Sequence, residues 1–195
     1  MSTVPQKKYT PEEYLALEEL AEYRSEYYQG EIFAMAGGTP NHNRISRNIL
    51  GSLHQQLRAS ANCEAFGADQ RIKVDRSGLY TYVDVVVGCG KLLYDDVQKT
   101  LLLNPRLIVE VLSKGTESYD RGKKFDLYRQ LPSLAEFVLV GQFEPHIERF
   151  VRQADDSWLM TEAKGLESSL PLSAIDCALR LADAYEGVEL DEAEL

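Results

Sequence analysis

Three segments in the middle of the chain decide its fold: YTYVDVVVG at residues 80–88, LLLNPRLIVEVLS at residues 101–113 and SYDRGKKFDLYR at residues 118–129. The first two are rich in Val, Ile and Leu and have the length of buried strands. The third is predicted to be helical. Each predicted strand carries one carboxylate inside its apolar run, Asp84 in the first and Glu110 in the second.

These two carboxylates are expensive to bury. An unpaired carboxylate in an apolar environment costs several kcal/mol or takes up a proton, so it usually has a cation, a hydrogen-bond network or a metal ion beside it. Two such acids on neighbouring strands predict a divalent-metal site. The structural alternative is a buried ion pair for each acid. Its candidate partners are Arg71 or Lys73 for Asp84, and Arg106 or Lys124 for Glu110.

The composition is that of one soluble globular domain. The chain has 195 residues, of which 44% are hydrophobic and 27% are charged, and this length is ample for a sizeable core. The formal net charge is −10, which argues against a surface that binds nucleic acid broadly by neutralising phosphates. Any such contact would have to come from a local basic patch or from dimer assembly.

The cysteines and the hydropathy pattern bear on location. Cys63, Cys89 and Cys177 are far apart with no CxxC spacing, which disfavours a zinc site, and their odd number fits a reducing interior. The N-terminus has no apolar signal region, and no run approaches the roughly 18 apolar residues that a membrane helix needs. We therefore expect a cytoplasmic protein without membrane association.

The first third of the chain predicts a helix, a hairpin and a second helix. Thr10, Pro11 and Glu13 form a helix start with a capping residue, and this helix is expected to end near Glu22. Residues 24–36 predict a hairpin that turns at Gly30 and Glu31. The second helix is predicted from Asn41 to about Ala59, with Ile45, Ile49, Leu53 and Leu57 on its apolar face.

The remainder predicts a mixed α/β sheet. The expected strands are Cys63–Asp75, the segment around Asp84, Arg106–Leu112 and Ala135–Val140, followed by a closing hairpin of Ile147–Val151 and Trp158–Glu162. The expected helices are Tyr119–Gln130 and Pro171–Ala184.

This order of elements resembles the core of the PD-(D/E)XK nuclease superfamily. More closely, the chain from Tyr9 to about Leu181 resembles a bacterial family of putative restriction endonucleases formerly catalogued as a domain of unknown function. The matching pieces, in chain order, are Thr10-Pro11-Glu12-Glu13-Tyr14, Gly30-Glu31-Ile32 with His42 opening a helix, the Asp84 strand, Glu110-Val111-Leu112-Ser113, Asp120-Arg121-Gly122-Lys123-Lys124-Phe125 with Tyr128, and Pro132-Ser133-Leu134-Ala135-Glu136-Phe137. As an ordered series these motifs are fairly specific.

The resemblance implies a restriction endonuclease-like α/β fold, in which a mixed central sheet is flanked by helices and extended by an N-terminal helix and hairpin. We assign residues 1–185 to this single domain and residues 186–195 to an acidic C-terminal tail. It also implies DNA as substrate and a homodimer, because two active sites are needed to cut two strands.

A nuclease site needs a hard cation such as Mg²⁺ or Mn²⁺ to stabilise charge on the scissile phosphate and to lower the pKa of an attacking water. Asp84 and Glu110 suit that role, and the carbonyl of Val111 is a candidate third ligand. The superfamily motif expects a lysine two positions after the second acid, where this chain has Leu112. The proline that usually precedes the first acid is also absent, with Val83 in its place.

The resemblance implies that the catalytic cation has moved to the third helix. Migration of the basic residue to a neighbouring helix is a known variation in this superfamily, and Asp120-Arg121-x-x-Lys124 matches the family. Lys124 is therefore the predicted catalytic cation, with Lys123 as the other choice. Asp120 also has a structural explanation, since an acid in the first turn of a helix is favoured by capping and by the helix dipole.

His42 and Glu31 are further candidates. A histidine near a helix N-terminus is favoured in its neutral form, so His42 is predicted to bind metal or accept a proton, although an isolated histidine is more often a structural hydrogen-bonder. Glu31 is a candidate fourth acid, but a glutamate in a hairpin is usually solvated. His54 and His146 lack a partner pattern and are expected to be surface or structural residues.

Three functions are compatible with the sequence. The first is a metal-dependent DNA endonuclease that uses Asp84, Glu110 and Lys124. The second is a catalytically silent protein of nuclease fold that binds nucleic acid or a protein partner, which Leu112 and the acidic surface favour. The third is a metal-dependent hydrolase of a smaller phosphate ester.

Overall fold

The computed structural model describes residues 7–58, 62–95 and 98–190. Its helices are α1 (Pro11–Leu20), α2 (Pro40–Leu57), α3 (Glu117–Tyr119), α4 (Phe125–Tyr128) and α5 (Leu181–Ala184), and a π-helical turn, Asp120–Lys124, joins α3 to α4. Its strands are β1 (Ser25–Tyr28), β2 (Glu31–Ala34), β3 (Cys63–Gly67), β4 (Arg71–Val74), β5 (Leu79–Tyr82), β6 (Val85–Cys89), β7 (Leu101–Leu102), β8 (Pro105–Val111), β9 (Glu136–Val140), β10 (His146–Arg152), β11 (Trp158–Lys164), β12 (Ser169–Leu172) and β13 (Cys177–Arg180).

A six-stranded sheet forms the centre of the fold, with the order β11-β10-β9-β8-β6-β3. Strands β8 and β9 run parallel, whereas the other neighbouring pairs are antiparallel. A five-stranded sheet with the order β2-β1-β5-β4-β7 lies beside it, and β12 pairs with β13. The architecture is therefore the mixed α/β sheet with a helix and hairpin addition that the sequence predicts.

The two faces of the six-stranded sheet are covered by different elements. On one face, alternate residues of β6, β8 and β9 pack against the apolar side of α2 and against α5 and β13. On the other face, Val86, Ile108 and Phe137 pack against the five-stranded sheet and against α4. Because both faces are covered, β8 is nearly continuously apolar, and Glu110 is a buried acid in this strand.

The N-terminal elements agree with the sequence patterns. Thr10 and Glu13 form a reciprocal capping box at the start of α1. The hairpin of β1 and β2 turns at Gln29 and Gly30, both with positive φ, one residue before the predicted turn. The predicted C-terminal end of the second helix, Ala59, lies outside the described residues.

Two predicted strands are wrong because each is divided between the two large sheets. The predicted strand Cys63–Asp75 consists of β3 and β4, which are separated by a turn at Ala68-Asp69-Gln70. The predicted strand around Asp84 consists of β5 and β6. Asp84 therefore lies at the crossing between the sheets and not within a strand.

The predicted C-terminal helix, Pro171–Ala184, is also wrong. Residues 169–180 form the β12–β13 hairpin, and only the four residues of α5 are helical. Leu170, Leu172 and Leu179 are buried at alternating positions of the two strands. The turn contains Asp176 with a positive φ, a conformation that an α-helix does not accommodate.

The cysteines and the end of the chain add two further findings. Cys63 and Cys89 are paired in register on β3 and β6 and form a disulfide, although the cysteine count favoured a reducing interior. In the predicted tail, Asn41 donates a hydrogen bond to the Glu189 carbonyl, and residues 191–195 lie outside the described residues.

Over the described ranges, every helix is too short or too polar to cross a bilayer.

Candidate active site

At the crossing between the two sheets, Asp84 is held by the backbone N–H of Val111 and by the imidazole ring of His42. Its Oδ2 atom accepts a hydrogen bond of 2.7 Å from the Val111 N–H and lies 3.3 Å from His42 Nε2. Since Val85 pairs with Val109, Asp84 is the next residue in register to Glu110. The structure thus brings together Asp84, Glu110, Val111 and His42, four of the residues predicted for the site.

Glu110 is buried in β8 with a cation beside it. Its Oε1 atom lies 2.9 Å from Lys124 Nζ and accepts a hydrogen bond of 2.8 Å from the Tyr128 hydroxyl. The side chains of Glu110 and Lys124 are 6% and 7% exposed, so this is a dry ion pair. Asp120 Oδ1 is 3.4 Å from the same ammonium.

The π-helical turn carries Lys124 to the site. Asp120 and Lys124 are its first and last residues, both are buried, and the exposed Arg121 and Lys123 lie between them. Such turns widen a helix locally and occur often at functional sites. Leu112, at the usual lysine position, is buried in the apolar cluster of the sheet, so it contributes packing where the superfamily motif has a charge.

Burial and excess negative charge dominate the electrostatics. Burial raises the pKa of Glu110 to about 8, the charge of Lys124 opposes this rise, and the charges of Asp84 and Asp120 reinforce it. Burial by itself would lower the pKa of Lys124, but Glu110, Asp120 and Glu26 outweigh it and raise that pKa. Lys124 therefore remains an ammonium ion over the accessible pH range.

The surroundings of His42 favour its protonated form, the imidazolium ion. Burial lowers its pKa, but the contact with Asp84, the charges of Asp84 and Glu110 and the nearby Val111 backbone outweigh burial, and the net pKa is raised. This corrects the expectation that the helix N-terminus favours the neutral ring. The Nδ1 atom is buried and has no hydrogen-bond partner.

Glu26 is a site residue that the sequence reasoning missed. It is a buried acid on β1, it accepts hydrogen bonds from Thr81 Oγ1 and from the Tyr119 hydroxyl, and its charge acts on Lys124. The sequence shows only a carboxylate between Ser25 and Tyr27 in the predicted hairpin; its burial is known from the structure, where the first three residues of β1 are buried.

Several predicted partners lie elsewhere. Glu31 forms an exposed ion pair with Lys8, and Lys123 lies over the Tyr28 ring. Arg71 donates to Thr100, Lys73 pairs with Asp75 and Asp95, and Arg106 donates to a backbone carbonyl. The Glu110–Lys124 ion pair is the structural alternative that does occur.

The donor set fits a divalent cation. The carboxylates of Glu110 and Asp120 lie beside the Lys124 ammonium, and that of Asp84 lies beside the His42 imidazole. The charge of Glu26 also acts on Lys124, and Asp120 Oδ1, 3.4 Å from this ammonium, has no hydrogen-bond partner. Burial and then the charges of Asp84 and Asp120 raise the pKa of Glu110, and a dication beside this carboxyl would favour its ionised form. Among the described residues, Asp84 and Glu110 do not belong to a compact triad of acid, His or Cys side chains, so a backbone oxygen such as that of Val111 would complete the ligand set.

The pKa of His42 predicts a pH-dependent stability. Since the folded-state pKa is raised, the stabilisation by imidazolium is complete below the unfolded-state pKa and is lost as the pH rises through the folded-state pKa. In EDTA, His42→Gln should lose most free energy of unfolding at acidic pH, and the difference from wild type should shrink as the pH rises. Urea unfolding of both proteins at a series of pH values measures this difference in the free energy of unfolding. A difference that grows with pH would contradict this sign, and His54→Gln on the exposed side of α2 is the control.

Comparison with known proteins places these observations in a family. A family model described as putative restriction endonuclease, Uma2, matches residues 11–182. Two proteins of Synechocystis sp. (strain ATCC 27184 / PCC 6803 / Kazusa) that are named as uncharacterized are similar to this chain. One, sll1609, is 36% identical over 84% of this chain and 92% of its own length. The other, slr1290, is 34% identical over 95% of this chain and 96% of its own length.

A solved structure has the same fold. It is the crystal structure of a putative nuclease belonging to DUF820 from Anabaena variabilis, with a TM-score of 0.74 and 16% sequence identity. The superposition covers 91% of this chain and 98% of that chain. The two chains therefore share an overall fold over most of their length.

Proposed function

This chain belongs to the Uma2 family of putative restriction endonucleases, and from that premise we propose that it is a metal-dependent endonuclease that hydrolyses DNA phosphodiester bonds. The family and the fold support a nuclease-like function. Metal dependence and DNA cleavage are inferred from the residues at the crossing of the two sheets.

One observation carries the proposal. Asp84 and Glu110 lie next to each other in register at the end of β6 and in β8, and Lys124 reaches Glu110 from the π-helical turn at 2.9 Å. Two carboxylates and an ammonium ion are the groups that phosphodiester hydrolysis needs, and here they come from three separate segments of the chain. Burial and the neighbouring acids raise the pKa of Glu110, so a dication at this position would stabilise its ionised form.

We assign each residue a role. Asp84, Glu110 and the Val111 carbonyl would hold Mg²⁺ or Mn²⁺, which supplies charge stabilisation at the phosphate and lowers the pKa of a bound water. Lys124 would act as the cation that stabilises the leaving oxyanion or orients the attacking water. Tyr128 and Asp120 hold Glu110 and Lys124 in position, and His42 positions Asp84.

A catalytically silent protein that binds nucleic acid or a protein partner is the second candidate. The observation that favours it is the closed ion pair of Glu110 and Lys124, together with the burial of Leu112 at the usual lysine position. In this case both acids would be structural, and cleavage would be absent while a salt-sensitive affinity for DNA could persist.

Assembly and location are further parts of the proposal. Cutting both strands of a duplex takes two active sites, so we include a homodimer, which sedimentation equilibrium would test. A cytoplasmic location is also included, and fractionation of the producing cells would test it.

Mg²⁺ calorimetry is the deciding experiment. Wild type should bind Mg²⁺. Asp84→Ala and Glu110→Ala should each abolish binding, because the one remaining carboxylate is not sufficient to hold the ion. Asp84→Asn, which keeps a hydrogen-bond acceptor for the Val111 N–H, separates loss of charge from loss of fold. Glu31→Ala is the matched control, because Glu31 is an acid paired with Lys8 outside the site.

The same samples are then tested for nicking of a supercoiled plasmid. Metal binding with nicking that EDTA removes supports the endonuclease. Metal binding without nicking contradicts DNA cleavage and is the result expected of a metal-dependent hydrolase of a smaller phosphate ester. If wild type binds no Mg²⁺ even with DNA present, the metal-dependent hydrolase is wrong.

A further inference from the structure

A second cluster of ligating groups lies on the hairpin of β10 and β11. The Nε2 atom of His146 is 2.9 Å from Glu162 Oε2 and 3.8 Å from Glu148 Oε1. Potential ligand atoms of these three residues all lie within 4.8 Å of one another. The sequence shows no partner pattern for His146, because the two glutamates meet it only through the pairing of β10 with β11.

The register of the hairpin places like charges together. Glu148 and Glu162 are directly opposite on β10 and β11, an arrangement that is destabilising unless a cation lies between the carboxylates. Two further acids, Glu117 and Glu144, contact the neighbouring Arg121 and His146. These four acids face two permanent cations, Arg121 and Lys164, so the cluster is negative when His146 is neutral.

The distances suit one metal ion. For bonds near 2.1 Å, two ligand atoms of a tetrahedral zinc ion are separated by about 3.4 Å. The two distances from His146 Nε2, 2.9 and 3.8 Å, lie on either side of this value. The other ring nitrogen, Nδ1, is 3.6 Å from Glu144 Oε1, and a carboxylate on that side is the usual support of a metal-bound histidine.

An independent observation points to a ligand at the same place. His146 borders a cavity of about 320 Å³ that Gln142 also lines. Gln142 is 3% exposed, and its Oε1 atom has no hydrogen-bond partner. A buried carbonyl oxygen without a partner is costly, and a hydrated cation beside the cavity would supply hydrogen-bond donors for it.

We propose that His146, Glu148 and Glu162 form a second cation site, which takes a first-row transition-metal dication such as Zn²⁺. An imidazole with two carboxylates is a ligand set for such ions, whereas Mg²⁺ prefers oxygen ligands alone. The site is separate from Asp84 and Glu110 and does not depend on the proposed nuclease function.

The test is Zn²⁺ calorimetry on full-length protein that has been stripped with EDTA, in an Asp84→Asn background. One bound Zn²⁺ is expected, and Glu162→Gln or His146→Gln should weaken binding at least tenfold. Co²⁺ should give visible absorption bands of a low-coordinate nitrogen and oxygen site, and the same substitutions should abolish them. Glu64→Gln, at an exposed acid of β3, is the matched control.

Three outcomes overturn the proposal. The first is that no Zn²⁺ binds, and the second is that binding survives both Glu162→Gln and His146→Gln. Cys177→Ser in the same background removes the free thiol as an alternative ligand, so loss of binding in that variant alone also overturns it. Urea unfolding of each variant shows that it is folded, and Glu148→Gln replaces any variant that is not.

Discussion

Replacing Lys124 with methionine should lower plasmid nicking by about 10²–10³-fold, the usual loss when one preorganised donor to a developing oxyanion is removed. Lys124 Nζ is the ammonium group next to Glu110, and the usual lysine position is occupied by a buried leucine. Methionine has a similar length and removes only the charge and the donors. The measurement is the initial rate of nicking at saturating Mg²⁺.

Lys123→Met is the matched control for this prediction. Lys123 is the adjacent residue, it is exposed, and its ammonium group lies over the Tyr28 ring and not at the acids. The control should nick within a few-fold of wild type. Equal rates for Lys124→Met and wild type would contradict the assignment of the catalytic cation to the third helix. Mg²⁺ affinity, measured in parallel, separates a catalytic loss from loss of the metal.

Lys124→Arg adds a variant that preserves the positive charge. Arginine keeps a cation near Glu110 and Asp120, so the variant should remain folded, but its planar guanidinium group cannot occupy the position of a compact ammonium ion. Reduced nicking in a folded Lys124→Arg protein would show that the position of the donor matters in addition to its charge.

The sequence predicted the centre of the site because its residues contradict their local surroundings. Asp84 and Glu110 stand in apolar runs, and such an acid implies a partner whatever the details of the fold. The capping box at Thr10 and Glu13 and the hairpin of β10 and β11 were predicted for another reason. Their sequence signals lie within a few residues of each other in the chain.

What the sequence could not predict depends on pairing between distant segments. In the run YTYVDVVVG the residue with low β propensity is Asp84, but this residue alone does not reveal that the chain leaves one sheet and enters another there, where a hydrogen bond from Val111 fixes it. Glu26 joins the site only because β1 pairs with β5. The glutamates near His146 are likewise set by register.

The C-terminal hairpin shows a different limit. Ile175 and Leu179 have the four-residue spacing of one helix face, but Leu170, Leu172 and Leu179 also fit the inward face of two strands. Short apolar patterns do not separate these periods. The left-handed conformation of Asp176 produces a turn. Aspartate tolerates this conformation but also occurs in many others, so its presence in the sequence does not predict the turn.

The largest stability change should come from the buried pair itself, and a double-mutant cycle isolates it. In EDTA, Lys124→Met leaves Glu110 and Asp120 without their cation and should cost about 3–5 kcal/mol of the free energy of unfolding. Glu110→Gln removes one of the two stranded charges. The double variant should therefore lose less than the sum of the single losses, with a coupling of about 0.5–3 kcal/mol.

The pH dependence of Lys124→Met decides whether Glu110 is the stranded charge. Its pKa is already raised to about 8 with Lys124 present, and removing the ammonium group removes the main effect that opposes this rise. A group whose folded-state pKa is raised contributes stability below its unfolded-state pKa, and this contribution is lost as the pH rises through the folded-state value. The loss in Lys124→Met should accordingly be smaller near pH 6, where Glu110 can take up a proton, and larger near pH 9. In the double variant with Glu110→Gln this increase should disappear, because glutamine has no proton to lose. An increase that persists in the double variant would assign the stranded charge to Asp120, and the pair of Glu110 and Lys124 would then contribute less to stability than its burial indicates.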